Sequence, residues 1–277
     1  MSYTVQKFSS AAETLWPTAN KEEWDVVGLV LGSKNQEITK VLLTVDVTDE
    51  VIQQAKELGS NLIFAHHPLL LKTVNNLVED NAKGHLVSQL IKSGIALYSA
   101  HTNADVVSTG TSAVLAEQLG LVATRPLSPI GNGSQGVGII GNLPSNTTLG
   151  DLASKLNSFL PQTATGVRVA GDFTREVTSA ALCAGAGDAY LGLALDSGAD
   201  VYITSDLRHH PAQEILELAK ARKVDFALVD ISHWAAEFLW LATAKEQLAK
   251  ELPGIELEIC DIRTDVFDFL MNNPINQ

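Results

Sequence analysis

The two halves of the sequence repeat one order of motifs, and this repeat constrains the fold more than any other feature. In the first half a helix end, a glycine and a hydrophobic strand lead into His-His-Pro at residues 66–68, and the same order precedes His-His-Pro at residues 209–211. Each half then has a strand, a histidine and, four residues later, a carboxylate: His101 with Asp105, and His233 with Glu237. The repeat predicts an internal duplication that gives two similar α/β lobes.

The spacing of apolar residues predicts the same class of fold. Short segments rich in β-branched residues, such as 38–46 and 61–65, alternate with helical patterns, such as 48–58 and 83–93. The alternation is interrupted over residues 127–138, which are rich in Gly, Ser and Pro. We therefore expect mixed sheets flanked by helices, a first lobe over 1–126 and a second over 127–277. The lobes are expected to interdigitate into one compact unit with a metal site between them.

Composition and charge exclude several classes of protein. The 277 residues carry a net charge of -13, which repels phosphate backbones and disfavours nucleic acid as a partner. The 2 cysteines are too few for a disulfide framework and fit a reducing compartment. A secretory signal and a long apolar run are both missing from the sequence. The sequence thus predicts a cytoplasmic protein that does not associate with membranes.

The histidine doublets predict metal binding. Imidazole is the commonest neutral ligand for Zn, Fe, Mn and Co, and the carboxyl ends of strands are where open α/β sheets bind ligands. A proline keeps the residue before it out of the helical region, so His67 and His210 are expected to leave their strands extended. A role for the second doublet, His209 and His210, is left open.

The later histidine and carboxylate of each half would lie on one face of a helix, one turn apart, where they could bind one cation together. Two alternatives remain open. Asp105 could instead be a helix N-cap. Glu237 could lie on a solvated helix face, although the aromatic residues around it indicate burial, where a carboxylate needs a partner.

Nitrogen and oxygen donors in this combination suit two divalent cations that activate a water molecule, and hydrolysis is their natural chemistry. We expect His66 or His67 together with Asp105 from one half, and His233 and Glu237 from the other, to hold the metals. His101 is expected to act behind the ligands or as a catalytic proton shuttle. The metals could be Zn, Fe, Mn, Co or Mg.

Two glycine-rich stretches are candidates for phosphate binding. Residues 131–136 spell GxGxxG, but a strand-like segment follows where a dinucleotide-binding motif would have a helix. Residues 183–187, Cys-Ala-Gly-Ala-Gly, follow a strand and precede a helix. They could either present backbone amides to an anion or form a tight structural turn.

Several motifs together resemble one family, the dinuclear-metal proteins named GTP cyclohydrolase 1 type 2 homologues, which are related to NGG-interacting-factor proteins. The motifs are WDVVGLVLG (24–32), VDVTDEVIQQA (45–55), LIFAHHPL (62–69), HTNAD (101–105), YITSDLRHH (202–210) and DISHWAAE (230–237). The resemblance is to the short form, without an inserted middle domain. It implies metal ligands at His66, His67, Asp105, His233 and Glu237, a two-lobed α/β fold, and a toroidal homohexamer built as a trimer of dimers.

The chain departs from the family pattern at three places. The usual Asp-Asn-Val-Gly reads Asp-Val-Val-Gly at 25–28, Ser205 replaces a usual glycine, and the usual Gly-His-Tyr reads Ser-His-Trp at 232–234. These departures leave the ligands intact and affect substrate contacts. Two classes of function follow: a metal-dependent hydrolase of a nucleotide or another small phosphorylated or cyclic substrate, or a non-catalytic scaffold for metal delivery or protein interaction.

Overall fold

The computed structural model of the chain describes residues 2–271. Its strands are β1 (Tyr3–Thr4), β2 (Gly28–Leu31), β3 (Glu37–Ile38), β4 (Lys40–Thr44), β5 (Leu62–Ala65), β6 (Ala96–Ser99), β7 (Val122–Ile130), β8 (Gln135–Thr148), β9 (Arg168–Ala170), β10 (Glu176–Ala186), β11 (Val201–Ser205), β12 (Ala227–Asp230) and β13 (Glu256–Ile259).

The α-helices are α1 (Val5–Leu15), α2 (Asp49–Glu57), α3 (Ala82–Lys92), α4 (Thr102–Asp105), α5 (Thr111–Leu119), α6 (Leu149–Phe159), α7 (Leu191–Asp196), α8 (His209–Arg222), α9 (His233–Phe238) and α10 (Trp240–Glu251). Short 3-10 helices lie at Thr18–Asn20 and Asp188–Tyr190. Across residues 2–271, none of the helices has the length and apolar character needed to cross a membrane. The mixed α/β class predicted from the sequence is confirmed.

The chain divides into two compact units. Among the described residues, the first contains Ser2–Thr109 together with Trp240–Thr264, and the second contains Gly110–Leu239 together with Asp265–Met271. The stretch 127–138, where the sequence suggested a lobe boundary, contributes to the antiparallel pair β7 and β8 of the second unit. Its Gly131 and Gly133, at φ values of 58° and 86°, form the turn of this hairpin. The GxGxxG motif is therefore a hairpin turn.

The first unit contains a five-stranded sheet in the order β13-β4-β5-β6-β2. The four strands from β13 to β6 are parallel, and β2 is antiparallel at one edge. Strand β5 is buried along its whole length, as expected for a parallel strand covered on both faces. One face packs against α2 and α3, and the other packs an aromatic cluster formed by Phe8, Trp16, Phe64 and Trp240.

The second unit contains a six-stranded sheet in the order β7-β8-β10-β11-β12-β9. Strands β10, β11 and β12 are parallel to one another, and the remaining strands pair antiparallel. Alternating residues of β11 enter different cores. Val201 and Ile203 pack with residues of α5, α6 and α9, whereas Tyr202 packs with residues of α7 and α8.

The five-stranded and the six-stranded sheet contain the same four-strand arrangement. An antiparallel edge strand, β2 or β9, pairs with the third of three parallel strands. The helix after that third strand carries Asp105 in the first unit and Glu237 in the second. This shared order is what a duplication predicts. The duplication itself stays a prediction.

The two His-His-Pro motifs are not equivalent in the structure. His66 and His67 directly follow β5, whereas β11 ends at Ser205 and His209 begins α8. The expectation that His210 leaves a strand extended is therefore wrong. Pro211 is tolerated there because the first turn of a helix has backbone N–H groups without intrahelical partners.

Candidate metal centre

Three histidines gather at the carboxyl ends of β5 and β6 in the first unit. His66 and His67 follow β5, and His101 lies two residues beyond Ser99, the last residue of β6. Ala65 and Ser99 are partners in the register of these parallel strands, so the residues that follow them emerge side by side. One ligand atom from each histidine lies within 4.8 Å of the others, and such a group could hold a metal ion.

The three imidazole rings share one hydrogen-bonding arrangement, in which Nδ1 lies against an oxygen. The pairs are His66 with the carbonyl oxygen of Ala100 (2.9 Å), His67 with Oδ1 of Asp46 (2.7 Å) and His101 with Oδ1 of Asp25 (2.9 Å). Carbonyl and carboxylate oxygens only accept hydrogen bonds, so Nδ1 carries the proton in each pair. The Nε2 lone pair of a neutral ring is then available for a metal, as in most metal-binding histidines.

Asp105 ends helix α4 and pairs with the buried His66. Its Oδ1 atom lies 3.6 Å from Nε2 of His66. The N-cap position of α4 belongs to His101, so the alternative that Asp105 is an N-cap is wrong. The histidine and the carboxylate of the motif at 101–105 therefore have different partners: His101 pairs with Asp25, and Asp105 pairs with His66.

Asp25 is a buried carboxylate beside this histidine group, and the spacing of the motifs did not identify it. It accepts hydrogen bonds from the backbone N (3.1 Å) and Oγ1 (2.5 Å) of Thr102 as well as facing His101. Burial would raise the pKa of Asp25, but these bonds and the charge of His101 lower it to about 2. The side chain is therefore ionised at neutral pH. The motif at 24–32 contains Asp25, but only the fold brings this side chain to a histidine 76 residues later.

The second unit holds a separate group of donors on α9. Nε2 of His233 lies 3.0 Å from Oε1 of Glu237, one helical turn later, and Nδ1 of His233 lies 2.7 Å from Oδ2 of Asp206. The prediction that His233 and Glu237 share a helix face is confirmed. Glu237 is 3% exposed, so the alternative of a solvated position is wrong. Ser232 begins the helix as its N-cap and accepts a hydrogen bond from the backbone of Ala235.

His233 repeats the arrangement of the first unit, because an aspartate again holds Nδ1. Burial would lower the pKa of His233, but the carboxylates of Glu237 and Asp206 outweigh burial and raise the pKa well above its usual range. The positive charge of protonated His233 thus lies beside Glu237, and a divalent cation bound there would replace it. Asp206 itself follows β11 and adopts a φ of 57°, a conformation that aspartate tolerates better than most residues.

Gly185 of β10 leaves space for this donor pair. It has a φ of 79°, and a Cβ atom there would lie 2.4 Å from Oε1 of Glu237 and 3.4 Å from Nε2 of His233. The stretch 183–187 thus continues β10 as far as Ala186 and packs against the donors. Hydrogen bonds go to its carbonyl oxygens, from Thr204 Oγ1 to Gly185 and from the Tyr202 hydroxyl to Gly187. These contacts give the stretch a structural role.

The second doublet lies on a different part of the unit. His209 and His210 are exposed in the first turn of α8, and their rings pack against each other with centroids 5.2 Å apart. The residue that follows β11 is Asp206, the partner of His233. The sequence repeat pairs the two doublets. In the fold, however, the residue directly after the strand is His66 in the first unit and Asp206 in the second.

The comparisons with known proteins agree with this architecture. The family model described as Duf34/NIF3 (NGG1p interacting factor 3) matches residues 3–266. The chain belongs to this family. A "GTP cyclohydrolase 1 type 2 homolog" of Streptomyces coelicolor is 40% identical over 242 residues, covering 86% of this chain and 83% of that protein. A protein of the same name from Clostridium perfringens is 33% identical, covering 93% of this chain and 96% of the relative.

Solved structures show the same fold. A Bacillus cereus protein related to NIF3 matches with a TM-score of 0.88 and 25% identity, over 97% of this chain and 99% of that chain. A Staphylococcus aureus hypothetical protein matches with a TM-score of 0.86 and 28% identity, over 96% of this chain and 99% of that chain. The fold seen here is therefore that of the DUF34/NIF3 family.

Proposed function

We propose that this member of the DUF34/NIF3 family is a metal-dependent hydrolase that binds two divalent cations. The proposed ligands are His66, His67, Asp105, His233 and Glu237. One observation carries the proposal: the three proposed histidine ligands, His66, His67 and His233, each have Nδ1 held by an oxygen, at 2.7–2.9 Å. Such bonds fix the ring and the tautomer that a metal ligand needs.

The donor chemistry fits hard or borderline divalent cations. A set of imidazole nitrogens and carboxylate oxygens without thiolates suits Zn, Fe, Mn or Co. A set with fewer nitrogens would suit Mg. Cys183 and Cys260, the cysteines of the chain, are buried elsewhere in the cores and are not part of the donor groups. When bound, the cations would supply Lewis acidity that activates water and neutralises charge on a substrate oxygen.

The chain's own residues would position the donors and move protons. Asp46 and Asp206 hold the rings of His67 and His233 in place. We propose that His101 carries a proton during the reaction, since Asp25 fixes its Nδ1 and orients the ring beside His66 and His67. His101 is thus the proposed catalytic residue outside the ligand set.

The proposed substrates are nucleotides or other small phosphorylated or cyclic molecules. The relatives' printed name, GTP cyclohydrolase 1 type 2 homolog, supports this class. The net charge of -13 repels anionic molecules, so a phosphorylated substrate would depend on the bound cations for its attraction to the site.

Turnover by metal-loaded protein tests the proposal. The 277-residue protein, loaded with Zn²⁺ or Mn²⁺, is assayed against GTP and a panel of phosphoesters, beside Glu237→Ala and His85→Ala. His85 is an exposed histidine paired with Asp49, which makes His85→Ala a matched control. We expect activity in the wild type and in His85→Ala, and a loss of at least about 100-fold in Glu237→Ala.

A scaffold for metal delivery or protein interaction is the second candidate. The family description supports it, because it names an interacting factor. Metal binding without any turnover that depends on Glu237 would favour the scaffold over the hydrolase.

The homohexamer stays a proposal for either function. A solution mass six times that of the 29.6 kDa chain would support it. A monomer at micromolar concentration would contradict it.

A further inference from the structure

Trp24 is exposed beside the catalytic candidate His101. Its side chain is 59% exposed, although large aromatic residues are generally well covered in folded proteins. The indole and the imidazole of His101 make an edge contact, with centroids 5.9 Å apart and planes at 76°. A large apolar surface is therefore open to solvent next to a cluster of three histidines.

The backbone around Trp24 is held by several hydrogen bonds. The backbone N of Asp25 donates to the carbonyl of Glu22 in a turn with Trp24 at its third position, and the N of Glu22 donates to Oγ1 of Thr102. The Lys21 ammonium donates to the carbonyl of Asp25, at 2.5 Å. The buried carboxylate of Asp25 is in turn fixed by Thr102. The indole thus projects from an anchored segment, which lowers the entropy cost of using it as a binding surface.

The chemistry of the surroundings indicates the kind of ligand. Small-molecule sites combine flat apolar or aromatic surface with a few fixed polar groups. Here the indole supplies the flat surface, and His101 supplies a polar ring whose position Asp25 fixes. A planar heterocycle matches both, since it can stack on the indole and accept or donate hydrogen bonds at its edge.

We propose that Trp24 is the stacking surface for a planar heterocyclic ligand, such as a purine or pterin ring, and determines the specificity of the candidate metal centre. The proposal rests on the proposed function in placing the substrate at this centre. It adds the residue that recognises the ring of the substrate, and it assigns that recognition to the first unit.

Equilibrium binding tests the proposal separately from catalysis. Metal-loaded wild type, Trp24→Ala, Trp24→Phe and Val26→Ala are titrated by calorimetry with GTP, ATP, neopterin and inorganic triphosphate. Val26 is the matched control, because it is 46% exposed on the same segment and has no aromatic ring. Metal content and solution mass are measured for every variant.

We expect Trp24→Ala to weaken binding of at least one of the three heterocycles by roughly 10-fold or more, the range for loss of one stacked base. Binding of inorganic triphosphate and the metal content should not change. Trp24→Phe should restore most of the affinity, and Val26→Ala should bind like the wild type.

Three outcomes would overturn the proposal. One is that none of the heterocycles binds with an affinity that depends on Trp24. Another is that Trp24→Ala weakens triphosphate as much as GTP. The third is that the variant lowers the solution mass without changing affinity, because Trp24 would then be a contact between copies of the chain. Absence of turnover with intact, Trp24-dependent binding would refute the hydrolase and leave this proposal standing.

Discussion

Oδ1 of Asp46 lies 2.7 Å from Nδ1 of His67, while its Oδ2 accepts a hydrogen bond from Thr264 Oγ1 at 2.6 Å. The carboxylate thus orients the proposed ligand His67 and is itself held by Thr264, which lies in a distant part of the sequence. Residues that orient ligating histidines in this way typically contribute 10- to 100-fold to metal affinity.

We therefore predict that Asp46→Ala weakens metal binding about 10- to 100-fold, measured by competition with a chelating dye. Asp49→Ala is the matched control, because Asp49 also pairs with a histidine, His85, but both side chains are more than half exposed. Equal metal affinity in Asp46→Ala and Asp49→Ala would show that Asp46 does not orient a ligand.

Gly185 is predicted to be essential for the donors of the second unit. Gly185→Ala would place a Cβ atom 2.4 Å from Oε1 of Glu237. Gly198→Ala is the matched control, because Gly198 has nearly the same φ, +80° against +79°, and a Cβ atom there would meet nothing within 4 Å. Both variants should lose about 1–2 kcal/mol of unfolding free energy from the left-handed backbone.

Beyond that shared cost, Gly185→Ala should displace Glu237, lose further stability and bind less metal. Denaturant unfolding and metal analysis of the two purified variants measure these effects. Identical stability and metal content in Gly185→Ala and Gly198→Ala would contradict the prediction.

Asp200 should stabilise the second unit in a pH-dependent way. Its Oδ2 accepts four hydrogen bonds at 2.7–3.0 Å, from the backbone N and hydroxyl groups of Thr178 and Ser179. Burial would raise the pKa of Asp200, but these bonds lower it from 3.8. A carboxyl with a lowered folded-state pKa contributes stability that is present above its unfolded pKa and lost as the pH falls below it.

Asp200→Ala should therefore cost about 1–3 kcal/mol of unfolding free energy at pH 7, since it leaves partly buried donors without their acceptor. The difference from the wild type should narrow below about pH 4. Asp225→Ala, which removes an exposed aspartate paired with Arg175, should cost less than about 1 kcal/mol. A constant difference between pH 7 and pH 3 would argue against the assigned role of Asp200.

The second histidine doublet should not bind the metals. His209 and His210 are exposed in the first turn of α8, and neither belongs to a donor group among residues 2–271. The double variant His209→Ala/His210→Ala should keep the wild-type metal content by elemental analysis. A fall in metal content to the level of His233→Ala would assign the doublet to the centre.

Local sequence patterns were sufficient to predict several of the helices. Helix α2 lies at Asp49–Glu57 against the predicted 48–58, and α3 lies at Ala82–Lys92 against the predicted 83–93, because periodicity is a property of neighbouring residues. The histidine and carboxylate of α9 were also predictable, since one helical turn separates them.

Long-range partners were not predictable in the same way. Asp25, Asp46 and Asp206 each hold a histidine more than 20 residues away in sequence, and their pairing depends on strand order and register. The doublet at 209–210 misled the comparison of the halves for the related reason that identical letters can follow a strand in one unit and begin a helix in the other.

Metal stoichiometry of protein purified without added ions tests the central proposal most directly. Elemental analysis should find about two divalent cations per chain in the wild type and in His85→Ala, and less metal in each variant of His66, His67, Asp105, His233 and Glu237. Wild-type metal content in all five variants would contradict the assignment of these residues as ligands.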